Sequence, residues 1–547
     1  MEKLRPKLFG AMKKYSKQQL VKDITAGFIV AIIALPLSIA LALASGATPE
    51  QGLYTAIVAG FVISFLGGSR VQIAGPTAAF ASIVAGIIAT NGFSGLVIAT
   101  IMAGIILILM GVFKLGSLIK FIPFTITTGF TSGIAVTILI GQVKDFFGLT
   151  FSESPIETID KVKEIVSSFG TINIEATIIG GVTLLILVLL PKVLKKIPPS
   201  LIAILVSALL VKFLNLDVLT IGDLYEISSK PPMPSVPELS FETVKAVVPD
   251  AFTIAILAAV ESLLSCVVAD GMIGSRHNSN MELIAQGAGN ICSALFGGIP
   301  ATGAIARTAA NIKNGGRTPI AGMVHAVVLL LVLLVLMPLA SYIPMPAIAA
   351  ILFVVAYNMS EWREFVHICK KSPKSDVLVL VTTFVLTIVF DLVVAICVGI
   401  VLATLLFMKR MSDETSAYGW KEIDEATDDE NINLKEIPEG VAVFEITGPV
   451  FFGAATKVSD AILSHDKHKK VLILRMRSVP AIDATGIHAF EDILESLEKK
   501  GVKLVISHAN EQPLKTLKKS GIYKKIGAEN FCTNIESALK RAKELTE

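Results

Sequence analysis

The chain has 547 residues, 53% of them hydrophobic and 17% charged, with a net charge of +3. So small a charge offers no electrostatic footprint for a nucleic acid. The uncharged runs Ile24–Pro49, Val71–Phe113, Phe121–Val143 and Thr318–Ser360 exceed the roughly 20 residues that a bilayer span needs. They exclude an ordinary soluble domain and predict a polytopic helical membrane protein.

Residues 1–22 carry seven Lys/Arg. No cleavable signal peptide is expected there, and the basic excess assigns this stretch to the cytoplasm. The first span is predicted over about Asp23–Ser45, with Pro36 and Ser38 at its centre. Pro36 frees a backbone carbonyl, and Ser38 leaves room beside it for a ligand.

A second span follows in PEQGLYTAIVAGFVISFLGGSR, Pro49–Arg70. This stretch resembles the signature of the SulP sulfate-permease family: P-x-Y-[GS]-L-Y, a short span, then G-[GST]-S-[KR]. Pro49, Gly52, Leu53, Tyr54, Gly67, Gly68, Ser69 and Arg70 match, and Gln51 departs where the pattern usually has Tyr. The resemblance implies a seven-plus-seven inverted repeat of fourteen segments, divided into core and gate bundles, and commonly a homodimer.

The third segment, about Val71–Ala89, is interrupted: QIAGPTAAFA places Gly75, Pro76 and Thr77 before small residues. Further segments are expected at about Gly95–Val112, Phe121–Gly141, Ala176–Leu190 and Leu201–Leu214. Polar residues Gly148–Asn173 are expected to hold a short helix outside the membrane, and Lys192, Lys195 and Lys196 form a basic patch. The loop Leu216–Phe241 is acidic and rich in Pro, which agrees with the outside face.

The second repeat, about 244–408, is predicted to contain seven segments as well. Its first, about Val248–Val268, carries Glu261 in an otherwise uncharged span, with Ser265 one turn later on the same face. The next is expected over about Glu282–Leu295. Then comes GGIPATGAIARTAAN, Gly297–Asn311, in which Gly297, Gly298, Pro300 and Gly303 break any helix that runs into it. A new helix is expected just after Pro300, with the Thr302 hydroxyl serving its free amides. A helix that starts at membrane depth turns its positive dipole end to a cavity, where anions bind. Two interrupted segments in matching places of two halves are the strongest sequence pointer to a transporter site. His325, alone on an apolar helix, is expected to be a satisfied interior histidine.

The anion is therefore expected between the N-terminal ends of segments 3 and 10. Thr77, Ala78, Ala79, Thr302, Gly303 and Ala304 would contact it, with Ser38 nearby and Arg307 adding charge. The resemblance implies an Arg lining the site at this position. It also implies a coupling-ion site at Glu261 and Ser265. Glu261 favours protons; the alternative is sodium held by Glu261, Ser265 and the Ala301 carbonyl. A static Glu261–Arg307 ion pair is the structural alternative.

From Lys409 the composition changes: 409–439 is expected to be a linker, and 440–547 a small α/β domain. GPVFFGAA at Gly448–Ala455 and IDATG at Ile482–Gly486 resemble a STAS domain. Where related anti-sigma antagonists carry a phosphorylated Ser after the Asp, this chain has Ala484. Asp483 and Thr485 are then expected to cap a helix.

The function expected from all this is secondary active transport of a small anion, sulfate first, by proton symport across the inner (plasma) membrane, with the N-terminus and STAS domain in the cytoplasm. The alternatives are sodium-coupled bicarbonate transport, dicarboxylate transport, a passive anion channel and, against the signature, a nucleobase permease. No enzyme activity, cofactor or metal site is expected.

Overall fold

The computed structural model describes residues 4–13, 15–117, 122–153, 155, 157–193, 198–235, 237, 240–390, 392–419, 437–463 and 469–547. The expected basic patch at Lys195 and Lys196, the start of the fifth segment at Phe121 and most of the expected linker lie outside the described residues. The chain forms two compact units, Met1–Ile400 and Val401–Glu547.

In the first unit, helices α1 (Lys17–Ala44) and α2 (Pro49–Leu66) lead to a two-residue strand β1 (Ala74–Gly75) and the long helix α3 (Ala78–Val112). Gly92, with φ 68° and ψ 178°, breaks α3 into stretches 78–91 and 93–112. Only a residue without Cβ takes that backbone readily. Helices α4 (Phe124–Phe147), α5 (Ile174–Val193) and α6 (Pro199–Leu214) complete the first repeat. A short helix, Thr158–Ser167, lies where the polar stretch suggested one.

The second repeat runs α7 (Val248–Ile273), α8 (Ser279–Leu295), β2 (Thr302–Gly303), α9 (Ile305–Lys313), α10 (Ile320–Leu336), α11 (Met345–Met359), α12 (Lys374–Val389) and α13 (Leu392–Glu414). Counting α3 as two segments gives seven and seven. Nine of the described helices are long and apolar enough to cross a membrane, and Pro199–Leu214 is a shorter apolar helix.

These helices sort into two bundles. In the core bundle, α8 packs on α3 and α2, α10 on α1 and α2, and α7 on α3. In the gate bundle, α4 packs on α11 and α12, and α5 on α6 and α11. Small residues set the closest crossings, as expected where lipid gives no hydrophobic drive between helices. A Cβ on Gly287 of α8 would stand 2.4 Å from the Gly104 carbonyl of α3. Within the gate bundle, a Cβ on Gly129 of α4 would stand 2.8 Å from the Leu380 carbonyl of α12.

The second unit holds a five-stranded sheet in the order β3-β4-β5-β6-β7. Its strands are β3 (Ser416–Gly419), β4 (Val441–Thr447), β5 (Val471–Ser478), β6 (Lys503–Ser507) and β7 (Phe531–Cys532). β4 to β7 are parallel, and β3 joins the edge antiparallel to β4. Helices α14 (Ala455–Leu463), α15 (Ala484–Lys499), α16 (Glu511–Ser520) and α17 (Ile535–Thr546) accompany it. Phe444, Leu474, Met476, Phe490 and Ile493 lie in the larger core cluster, and Val443, Ile473 and Val505 meet α17 on the opposite face. One expectation is corrected: the stretch expected to be a linker from Lys409 contains the end of α13 and strand β3 before the described residues stop at Gly419.

Candidate functional site

Two short strands from different halves meet at the centre of the core bundle. Ala74 pairs with Gly303 and Gly75 with Thr302, antiparallel. The Ala304 amide extends the contact by donating to the Ile73 carbonyl at 2.8 Å. Gly303 is dictated by this approach, since a Cβ there would lie 2.1 Å from the Gln72 side chain.

Each strand is held by the other half. Ahead of β1, the amides of Gly68 and Ser69 donate to Glu282 Oε2 at 2.8 and 3.0 Å, and Gln72 Nε2 donates to Glu282 Oε1 at 2.9 Å. Gln286 Nε2 adds a fourth donor at 3.0 Å, and Cys266 Sγ donates to Gln72 Oε1. A fully buried carboxylate survives when donors answer all of its charge. Here that condition explains the Gly-Gly-Ser of the signature: the turn presents its amides to Glu282. Ahead of β2, the Ile299 amide donates to Thr55 Oγ1 at 2.7 Å. Asn290 clamps Ala301 at both its amide and its carbonyl, at 2.8 and 2.9 Å. Neither Glu282 nor Thr55 was singled out in the sequence. Glu282 marked only the edge of a span, and a lone Thr in an apolar helix carries no signal.

The half-helices leave the two strands with free N-terminal ends. The first begins at Ala78 with Thr77 at the N-cap, and the second at Ile305 with Ala304 at the N-cap; neither cap side chain bonds to its own helix. The first amides of a helix have no partner within it. Starting the second helix at Ile305 corrects the expected start after Pro300. Thr302 lies in β2, and its hydroxyl meets Ser262 Oγ at 2.7 Å and the Ala258 carbonyl rather than a helix amide. The amides of Gly303 and Ala304 are likewise committed, to Ser262 Oγ and the Ile73 carbonyl. Amides free for a ligand begin at Ile305.

Arg307 is buried, at 3% exposure. Its Nη2 donates to the Pro76 carbonyl, directly before the first half-helix, while Nη1 has no partner among the described residues. The side chain lies over Gly75, whose Cβ, if present, would stand 2.6 Å from Nη1. Among the described residues Arg307 makes no ion pair, so the expected alternative of a static Glu261–Arg307 pair is absent. Glu261 instead accepts from Thr77 Oγ1 at 2.9 Å, and both residues are only half-buried. Ser265, expected to work beside Glu261, is buried against Thr308 Oγ1 at 3.4 Å. Ser38 is fully buried with an unpartnered hydroxyl. His325 also departs from expectation: it is fully buried, and neither ring nitrogen has a partner among the described residues.

In the second unit, Asp483 accepts from Gly486 N at 2.8 Å and from Phe452 N at 3.1 Å, capping α15. Thr485 is exposed and takes no part in the cap.

Residues 20–383 match the Sulfate permease family, and residues 432–538 match the STAS domain. A candidate sulfate transporter of Bacillus subtilis (strain 168), YvdB, is 42% identical over 525 residues, covering 95% of this chain and 98% of that protein. The bicarbonate transporter BicA of a Picosynechococcus strain is 32% identical, covering 95% of this chain and 94% of its own. Among solved structures, the murine Slc26a9 anion transporter in its inward-facing state aligns with a TM-score of 0.89 at 20% identity, over 98% of this chain and 94% of that one. The transmembrane domain of a cyanobacterial BicA aligns with a TM-score of 0.62 at 29% identity, over 72% of this chain and 99% of that one.

Proposed function

The chain belongs to the sulfate permease family, an anion transporter of the membrane rather than an enzyme, and from that premise we propose proton-coupled symport of sulfate. The observation that carries this is the unpartnered Nη1 of buried Arg307, set over Gly75 between two uncapped half-helices. A tetrahedral oxyanion suits such a place. It accepts from the free amides at Ala78–Ala79 and Ile305–Ala306, from Arg307 Nη1 and from Ser38 Oγ, with the two helix dipoles adding their partial charge. Glu261 is the proton site. Among the described residues it makes no ion pair, it is only half-buried, and its bond from Thr77 ties it to the first half-helix. Sulfate is favoured over bicarbonate because the relative at 42% identity carries a sulfate transporter's name.

Sodium-coupled bicarbonate transport is the second reading, favoured by the likeness to BicA. The Ala301 carbonyl it would use already accepts from Asn290, and Ser265 is turned toward Thr308. The protein works in the inner (plasma) membrane with the N-terminus and STAS domain in the cytoplasm, as the basic residues 1–22 suggest, and as a homodimer.

Proteoliposomes loaded with buffer alone decide between these readings. Sulfate is expected to accumulate under an inward proton gradient, and Glu261→Gln is expected to abolish that accumulation. Bicarbonate uptake driven by sodium, with no sulfate uptake, would overturn the proposal, as would proton-driven accumulation by the Gln variant.

A further inference from the structure

Thr77 sits at the N-cap of the first half-helix with extended backbone, φ −127° and ψ 157°, yet its side chain gives that helix nothing. A Thr at this position ordinarily turns its oxygen to an amide two or three residues on. Here the hydroxyl faces away and donates to Glu261 Oε2 at 2.9 Å, 184 positions later in the chain. A hydroxyl has one hydrogen to give. While Glu261 is ionised, that hydrogen is held by the carboxylate and is withheld from any anion at the helix end.

We propose that Thr77 is a positioning residue that relays the charge of Glu261 to the anion, which rests on the assignment of Glu261 as the proton site. When a proton from solution binds Glu261, the carboxyl gains an O–H of its own. That O–H donates to Thr77 Oγ1, and the Thr77 hydrogen turns to the anion beside the amides of Ala78 and Ala79. No bond to the anion forms or breaks; the added proton stays on Glu261 and the hydroxyl rotates. Two changes then act together. A negative charge one hydroxyl away from the anion is removed, and a donor is added. Protonation therefore raises anion affinity, and by linkage the bound anion raises proton affinity by the same factor.

The surroundings leave Glu261 as the group that varies. Of the elements packed on α7, helix 78–112 and strand β2 contain no ionisable residue. Helix α9 brings Arg307, which stays charged, and Lys313, which is exposed at its far end. Helix α8 brings Glu282, whose oxygens are filled by Gly68, Ser69, Gln72 and Gln286. On α7 itself, Cys266 is bonded to Gln72, Asp250 lies in the first turn and Asp270 near the far end, where it is held by Ser275 and His277; the short helix Phe241–Ala246 carries Glu242 and Lys245, both exposed.

The test is the equilibrium dissociation constant of sulfate for the full-length purified protein, from mildly acid to mildly alkaline pH. The native protein and Thr77→Ser are expected to bind about tenfold more tightly at the acid end, the size of one charge-assisted hydrogen bond. Thr77→Val, which keeps the shape and loses the hydroxyl, is expected to bind more weakly at the acid end, with a pH effect clearly smaller than the native tenfold, the remainder being the direct charge of Glu261. Glu261→Gln presents an N–H to Thr77 permanently, so it is expected to hold the tight acid-side affinity at every pH. A Thr77→Val protein with the native pH slope would overturn the relay while leaving the proton site standing. Should Thr77→Val fail to fold, Glu261→Gln decides instead: binding fixed at the weak alkaline value overturns the relay. Failure of the proton site itself has a separate mark, namely accumulation by Glu261→Gln under a proton gradient.

Discussion

The two interrupted crossings share a shape and divide the labour. Each passes from a glycine-bearing turn through a two-residue strand into a half-helix whose cap side chain leaves the helix end open. The strand and half-helix of the first crossing carry no charge of their own: the turn before the strand rests on the carboxylate of Glu282, and the cap hydroxyl on that of Glu261. The second carries the cation, Arg307, and the turn before its strand rests on the neutral groups of Thr55 and Asn290. Symmetry supplies the paired helix ends, and the charges break it. In the proposed mechanism the fixed positive charge on one side would attract the anion, and the acid bound to the other side would make that attraction conditional.

Substitutions at the supports of the two turns, and at the cation between them, test this division. Glu282→Ala has the largest expected effect. It orphans two buried backbone amides and two side-chain amides, at a cost of roughly 3–5 kcal/mol. A large fall in the unfolding midpoint of the purified protein checks it. Arg307→Ala comes next. It should weaken sulfate binding about a hundredfold, near 2.7 kcal/mol, with the unfolding midpoint little changed. An unaltered dissociation constant would remove Arg307 from the site and with it the asymmetry of charge. Thr55→Val is the smallest. It leaves the Ile299 amide unpaired, which costs about 1–2 kcal/mol. If Thr55→Val lowered the midpoint more than Glu282→Ala, the carboxylate would not be what distinguishes the two crossings.

Much of the scaffold was legible because it follows from local pattern. Spans announce themselves by length without charge, and the break at Gly92 fell between the two segments expected there. Glu261 stood out as an acid in an apolar span. What stayed hidden depends on contacts between halves. The start of α9 was expected after Pro300, with Thr302 as its cap. Pairing with Ala74 and Gly75 draws Thr302 and Gly303 into a strand instead, and nothing near Thr302 in the sequence announces a partner more than two hundred residues earlier. The Gly-Gly-Ser turn was visible as a motif, but its cause, Glu282, was not. Strand β3 escaped for a different reason. SAYG is four residues long and largely half-buried at a sheet edge, so it lacks the alternation that marks a strand.

The mutual clamping of the two crossings also bears on how the protein is made. Gly68 and Ser69 wait for an acceptor 214 and 213 positions further on, and β1 has no partner strand until Gly303 has been synthesised. The first repeat is therefore synthesised before the partners of its strand and of its turn exist. The halves are thus repeats in shape, yet each completes its central strand and turn only with groups from the other.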